Sequence, residues 1–294
     1  MKVCVACDGR FTAGDWRCPS CGWSPDRYDT WPVFAPELAR HNESFSPESF
    51  ASLARFEPRH FWFRARNRLL VWALDAYFPD ARQFLEIGCG TGYVLTGIRD
   101  ARPEMQVSGS EALNEGLSIA RSRLPGVPLL QMDARRLPFD AEFDVIGAFD
   151  VIEHIDEDEA VLRQMFQAVR PGGGIVLTVP QHRFLWSVVD EYSHHRRRYR
   201  RSELIGKVQR SGFRLVRATS FVSALLPLFW LSRARQDRRA FDPNSEFNIS
   251  ETLNAGLETV LDVERWLIAR GVSLPFGTSL LVVAKRDGGE IRQP

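Results

Sequence analysis

The chain has 294 residues, 44% hydrophobic and 26% charged, which is enough apolar content for a sizeable core and excludes extensive disorder. A formal net charge of +1 excludes a whole-molecule attraction to polyanions, so any contact with nucleic acid or membrane has to be local. The first residues carry cysteines and charges where a leader would be apolar, and no run reaches the ~18 apolar residues of a membrane span, so a cytoplasmic location is expected.

In chain order, residues 1–30 hold Cys4-x-x-Cys7 and Cys18-x-x-Cys21, two knuckles whose four thiolates suit a tetrahedral structural Zn2+. A rubredoxin-like iron site and, in a reducing cytosol, disulfides are the alternatives. Arg10, Arg17 and Arg27 interleave with Asp8, Asp15 and Asp26, so this ribbon presents no basic face. The fifth cysteine, Cys89, reads as a small buried residue. Residues 31–80 are expected to be linker and helix: 24–47 is punctuated by prolines, and 58–77 is apolar at helical spacing until Pro79 closes it. Residues 81–290 form the main domain. Strands are predicted at 84–88, 105–110, 127–132, 143–149, 174–179, 213–220 and 279–285, with helices between, an alternation that makes a parallel sheet covered on both faces. A helical insertion at about 221–272 carries an apolar segment, 221–235, and a helix, 251–270.

The run "FLEIGCGTGYV" (84–94) concentrates the chemistry. Gly88, Gly90 and Gly92 follow a predicted strand and precede a helix, so the backbone there can pass close under a ligand. A dinucleotide site would need G-x-G-x-x-G with a pyrophosphate at the helix N-terminus, but position 93 is Tyr and Glu86 adds a charge that phosphate would avoid. S-adenosylmethionine carries a cationic sulfonium and an ammonium group and no phosphate, which suits acids around a glycine turn. Glu111 ends the second strand, where a carboxylate takes both ribose hydroxyls. Asp133-Ala134, after the third, can meet the adenine amino group and a ring nitrogen, and Asp150 ends the fourth. All four acids lie at the strand ends where open α/β sheets bind ligands.

The motifs "LEIGCGTG", "GSE", "MDARRLPF", "FDVIGAFDVIEHI" and "VRPGGGIVLTVP" resemble, in order, those of class I S-adenosylmethionine-dependent methyltransferases, across about residues 58–286, and among these the bacterial small-molecule enzymes of the ubiquinone-biosynthesis-like type. The resemblance implies a Rossmann-like seven-stranded α/β sheet whose last strand is antiparallel. It assigns Gly88, Gly90, Gly92, Glu111, Asp133, Ala134 and Asp150 to the cofactor, with Glu86 bracing the turn.

Methyl transfer needs in-line positioning in a dry pocket, and an oxygen acceptor must also lose a proton. His154 and His195 are the candidate bases. Asp150, Glu153 and His154 echo an E-x-x-E-H pattern that some related quinone O-methyltransferases use for a divalent ion, with the shorter Asp in first place. The stretch 180–204 resembles a lid and acceptor wall in similar enzymes: Trp186, Asp190, Tyr192 and His194 would line it, and Arg197 or Arg198 would hold an acidic acceptor bidentately. "HFWFRARNRLL" (60–70) is expected to cover the cofactor, with Trp62, Phe63 and Arg64 or Arg68 nearest. The 221–235 segment reads as a buried helix over the sheet, or else as an acceptor tunnel or a foot on a lipid surface, which limits membrane contact to the periphery. The expected function is methyl transfer to a small-molecule acceptor, by O-methylation of a quinone-like, lipid-linked or sugar-like metabolite, oxygen being favoured by the histidines; the acceptor is expected to be acidic or lipid-linked. An RNA methyltransferase gripping phosphates with the ribbon and the 194–201 basic run, or a non-catalytic adaptor, are the competing readings. Nucleic acid is not expected as a partner, because "DVIE" stands where an Asn-Pro-Pro-Tyr-type tetrapeptide would serve. The acceptor atom and the oligomeric state have no signature in the sequence.

Overall fold

The computed structural model describes residues 1–12, 14–40, 47–234 and 247–288. The strands are β1 (Lys2–Val3), β2 (Arg10–Phe11), β3 (Asp26–Tyr28), β4 (Trp31–Val33), β5 (Gln83–Ile87), β6 (Gln106–Glu111), β7 (Leu129–Gln131), β8 (Phe143–Phe149), β9 (Val169–Pro180), β10 (Arg214–Phe221) and β11 (Ser279–Lys285). The helices are α1 (Pro36–Arg40), α2 (Pro47–Phe56), α3 (Phe61–Tyr77), α4 (Tyr93–Ala101), α5 (Asn114–Arg123), α6 (Asp158–Ala168), α7 (Val188–Tyr192), α8 (Arg201–Arg210), α9 (Leu226–Ala234) and α10 (Glu251–Ala269).

The main sheet runs β10-β11-β9-β8-β5-β6-β7-β4-β3. Its seven expected strands are present, and β11, the last, is antiparallel to both β9 and β10. Central strands are buried on both faces, as a doubly covered parallel sheet requires. Along β5, Leu85 and Ile87 face a core shared with α6 and α8, while Phe84 faces a second core shared with α3, α4 and α10.

Two expectations need correction. Residues 24–47 are not an irregular linker throughout: β3 and β4 form a hairpin that extends the sheet to nine strands, with β4 lying parallel to β7 at Val33 and Gln131. Gln131 fixes the join, because its buried carboxamide accepts from Ala35 N at 3.0 Å and donates to Ala35 O and Ala112 O at 2.7 and 2.8 Å. A free β7 edge would offer unpaired backbone groups, and the hairpin covers them. The apolar segment 221–235 is not a fully buried helix either: Leu225 is buried just before α9 and Phe229 packs against the core, but Leu228, Trp230 and Leu231 of α9 are exposed.

The N-terminal ribbon packs on the loop after β7. Lys2 bridges to Phe139, Val3 N donates to Pro138 O at 2.9 Å, and Arg10 pairs with Asp140 at 2.9 Å. Trp16 stacks edge-on against Phe34 and Phe139, with ring centres 4.7 and 5.6 Å apart.

Candidate active site

The carboxyl ends of β5, β6 and β8 border a cavity of about 310 Å³, roofed by residues of α2 and α3. The glycine turn forms its floor. Gly88 and Gly92 have φ of +66° and +75°, and a Cβ at either would lie 2.5 Å from Val151 or 2.8 Å from Leu124. These positions therefore need glycine for conformation and for packing. Gly92 caps α4 and does not line the cavity, whereas Gly88 and Gly90 do.

Carboxyl groups dominate the walls. Glu111 accepts from Gly90 N at 3.1 Å and from its own neighbours Ala112 N and Leu113 N at 2.7 and 3.3 Å, which ties the turn to the end of β6. Burial raises its proton affinity against those three amides. Glu86 is 2% exposed, and its Oε2 has no hydrogen-bond partner among the described residues. Burial pushes this carboxyl well above the usual range, with Arg66 opposing. Glu57, on the loop after α2, accepts from Thr91 Oγ1 at 2.7 Å and pairs with Arg123 at 2.6 Å. Asp150 has a left-handed backbone at φ +57° and meets Arg66 at 2.5 Å and Thr178 Oγ1 at 3.3 Å. Arg66 is buried, and its guanidinium lies 4.9 Å from the centre of the Trp62 ring.

Of the covering segment, Trp62 and Phe63 line the cavity as expected, together with Arg66, which the sequence reading passed over. Arg64 and Arg68 face the other way: they pair with Glu258, and Arg68 also with Asp262, binding α3 to α10. The available signal was helical spacing, since Arg66 follows Trp62 and Phe63 by four and three residues and so shares their face. Glu57 and Phe50 were also missed; both precede the motif region, in a stretch with no strand ends to mark them. Asp133 is not among the lining residues, and Arg135 donates to both its oxygens at 3.0 Å or less. Ala134 packs into the core beside it.

The histidines sit apart in depth. His154 lines the cavity, and His195 packs edge-on behind it with ring centres 4.8 Å apart. Burial, helped by the neighbouring His195 and His194, holds His154 down to about 3, so it is neutral across ordinary pH. His195 Nδ1 lies 2.8 Å from Asp190 Oδ1. Asp190 is fully buried and also takes Arg198 Nε at 2.7 Å and Ser187 N at 2.9 Å. Burial works against its charge, yet His195 and Arg198 keep the carboxylate at about 2. Asp190 and Arg198 are thus internal supports and not acceptor contacts. Arg197 is likewise spent on Asp158 at 2.9 Å. Trp186, Tyr192 and His194 stay exposed on the same segment.

Two clusters have metal-ligand spacing among the described residues. Ligand atoms of Glu153, His154 and His195 fall within 4.8 Å of one another, and both Glu153 oxygens are buried without a partner. Asp150, the first member of the echoed pattern, is held by Arg66 and is outside this group. In the ribbon, Cys4 and Cys21 sulfurs are 3.7 Å apart, as are those of Cys7 and Cys18. A tetrahedron of thiolates around zinc at about 2.3 Å has an edge of about 3.8 Å, so the four sulfurs fit that ion.

Sheet order, glycine turn and acidic cavity together define a class I, S-adenosylmethionine-dependent type of methyltransferase. The chain belongs to the methyltransferase domain family, whose profile matches residues 53–218. It is 28% identical over 162 residues to a probable S-adenosylmethionine-dependent methyltransferase of Mycobacterium tuberculosis, over 50% of this chain and 58% of that one. With a ubiquinone biosynthesis O-methyltransferase of Photorhabdus laumondii it shares 24% identity over 178 residues, 54% of this chain and 72% of the other. The structure resembles phosphoethanolamine N-methyltransferase 2 of Haemonchus contortus in complex with S-adenosyl-L-methionine, with a TM-score of 0.50, 19% identity and coverage of 75% and 52% of the two chains, a likeness of fold alone. The chain spans little more than half the length of the mycobacterial relative.

Proposed function

We propose that the chain transfers a methyl group from S-adenosylmethionine to a small-molecule acceptor, by O-methylation of a quinone-like, lipid-linked or sugar-like metabolite. One observation carries this reading: Glu57, Glu86, Glu111 and Asp150 line a single cavity in which Arg66 is the only Lys or Arg side chain among the described residues, so the space suits a cation. When bound, the cofactor supplies an electrophilic methyl group on a positively charged sulfur. Glu111 receives the ribose hydroxyls with the lone pairs its backbone donors leave free. Glu86 faces the cavity with an unpaired oxygen and receives an ammonium group, a larger part than bracing the turn. Trp62, Phe63 and Phe50 exclude water above the site.

For the acceptor proton, His154 lines the cavity and His195 stands behind it as the second imidazole of the pair. His195 is held through Nδ1 by the buried Asp190 carboxylate, which fixes one tautomer and the ring's orientation. His154, held at low proton affinity, relays or positions. The relative named for ubiquinone biosynthesis supports a small acceptor and oxygen as the atom methylated. The four ribbon cysteines hold a structural zinc. An RNA substrate is disfavoured, since Arg197 and Arg198 in the basic run are tied to internal carboxylates.

The test is incubation of the purified protein with methyl-labelled cofactor and a metabolite extract, followed by identification of the labelled product. A labelled small molecule supports the reading. Cofactor binding without any labelled product supports an adaptor, and label on RNA supports the nucleic-acid alternative.

A further inference from the structure

The carboxyl edge of the sheet that borders the cavity also sends out two long excursions. One, 181–200, leaves the end of β9. The other, 222–278, runs from the end of β10 to the start of β11, and the pairings of Pro180 with Ser279 and of Ser279 with Phe221 put all three strand ends on one edge. Fourteen large apolar side chains are exposed among the described residues, and all but Met1 and Tyr28 belong to these two excursions. Among the described residues, apolar exposure is therefore concentrated in the two excursions that leave this edge instead of scattered over the chain, and such concentration marks an interaction surface.

The helices themselves say what kind. Leu225, the residue before α9, is buried at 7% exposure and Phe229 of α9 packs against the second core, while Leu228 and Trp230 stand 52% and 54% exposed. On α10, Leu261 and Ile268 face the core, and Leu253, Val260 and Val263 fall on an outward arc of about 80° at 3.6 residues per turn. A helix lying on a folded core presents polar residues outward. These two are apolar inward and outward, so each has a second apolar environment to satisfy. Cations accompany the aromatic side chains. Arg183 adjoins the exposed Phe184, and the Arg270 guanidinium sits 3.5 Å from the centre of the exposed Trp266 ring. Arg183, Arg200 and Arg270 are exposed and form no ion pair among the described residues, so their charge is available to an outside partner. Indole rings and long-stemmed cations beside aliphatic faces are what a lipid headgroup boundary accommodates. No helix among the described residues is long and apolar enough to cross a membrane, which leaves contact at the surface.

We infer that the 181–200 excursion together with α9 and α10 docks the protein on an anionic lipid surface, at the side of the molecule from which these segments leave the cavity edge of the sheet. The aliphatic and aromatic side chains of α9 and α10 sit among the acyl carbons, and the unpaired arginines meet lipid phosphates. An amphiphilic acceptor then reaches the site from the lipid layer and not from bulk water. This last clause rests on the methyltransferase reading; the docking itself does not.

Co-sedimentation of the full chain with phosphatidylglycerol–phosphatidylcholine vesicles, in the absence of cofactor, tests the docking. Binding at least tenfold tighter than to pure phosphatidylcholine vesicles is expected, and weaker in 0.5 M salt. Brominated phosphatidylglycerol should quench the intrinsic tryptophan fluorescence. The combined Leu228→Ser, Trp230→Ser and Leu231→Ser variant should lose at least tenfold in vesicle affinity, while Tyr28→Ser, an exposed apolar residue elsewhere, should lose none. Calorimetric affinity for S-adenosylmethionine should be the same in both variants, which separates failure of docking from failure of the methyltransferase reading. No sedimentation and no quenching with either vesicle would overturn the inference. So would vesicle binding that the α9 substitutions leave unchanged, or a dimer that those substitutions split, which would assign the surface to a second copy of the chain.

Discussion

Glu86 is a carboxyl group sealed from water with one oxygen unsatisfied, and its behaviour on binding follows from that. Burial holds its proton affinity well above the ordinary value. A cation placed beside it lowers that affinity, so between the free and bound values each binding event expels a proton and affinity rises with pH. Calorimetry of S-adenosylmethionine binding in two buffers of different ionisation heat should show proton release, and Glu86→Gln should remove it. Glu111→Ala should weaken binding by about 1–3 kcal/mol, since it unmakes hydrogen bonds in a buried site. An unchanged affinity would take Glu111 out of the site. Glu153 tests the same physics through stability. Its carboxyl is raised well above the ordinary value by burial, with Asp150 adding to it. A group whose folded value is raised gives its full stabilisation below the unfolded value and loses it as pH climbs through the folded one. Glu153→Gln should therefore have a higher urea midpoint than the parent at pH 8, with the gap closing toward pH 5. At this scale the sequence told strand-end acids from their neighbours, because position after a strand is a local signal. It did not tell Arg66 from Arg64 and Arg68, because which way each guanidinium faces depends on Glu258 and Asp262, nearly two hundred residues away. Nor did it separate Asp190 from an acceptor contact, since burial by a folded segment leaves no mark in composition.

Elements were legible where their pattern is self-contained. All seven strands of the main domain fall within a few residues of their expected limits, apart from the early start of β9, and α10 ends one residue short of its expected end. The hairpin of β3 and β4 was hidden because Pro32 interrupts it and its partner, β7, is distant in sequence. The exposure of α9 was hidden for a different reason: an apolar run reads as core unless something outside the chain takes its place. The glycine turn gives the prediction at this scale. Gly92→Ala forces a left-handed backbone onto a residue with a Cβ and drives that atom into Leu124 and Ala120. The expected loss is about 2 kcal/mol of unfolding free energy, read from urea or thermal unfolding. A loss below about 0.5 kcal/mol would mean the turn relaxes freely.

For the whole molecule, the four cysteines, the hairpin and the main sheet make one continuous piece, with the ribbon seated on the loop after β7. The purified protein should release one zinc per chain to a thiol-reactive reagent in a chromogenic chelator assay, and Cys18→Ser should lower that yield. Absorption typical of iron–thiolate would assign the site to iron instead. Loss of the ion should redden tryptophan emission, because Trp16 and Trp23 pack against the buried Cys4 and Cys18. The order of synthesis adds a constraint of its own. The hairpin leaves the ribosome well before the strand it pairs with, which arrives about a hundred residues later. At 5–20 residues per second that is a wait of roughly 5–20 s. During this interval Trp31 has no core to bury it and the backbone of β4 has no neighbour.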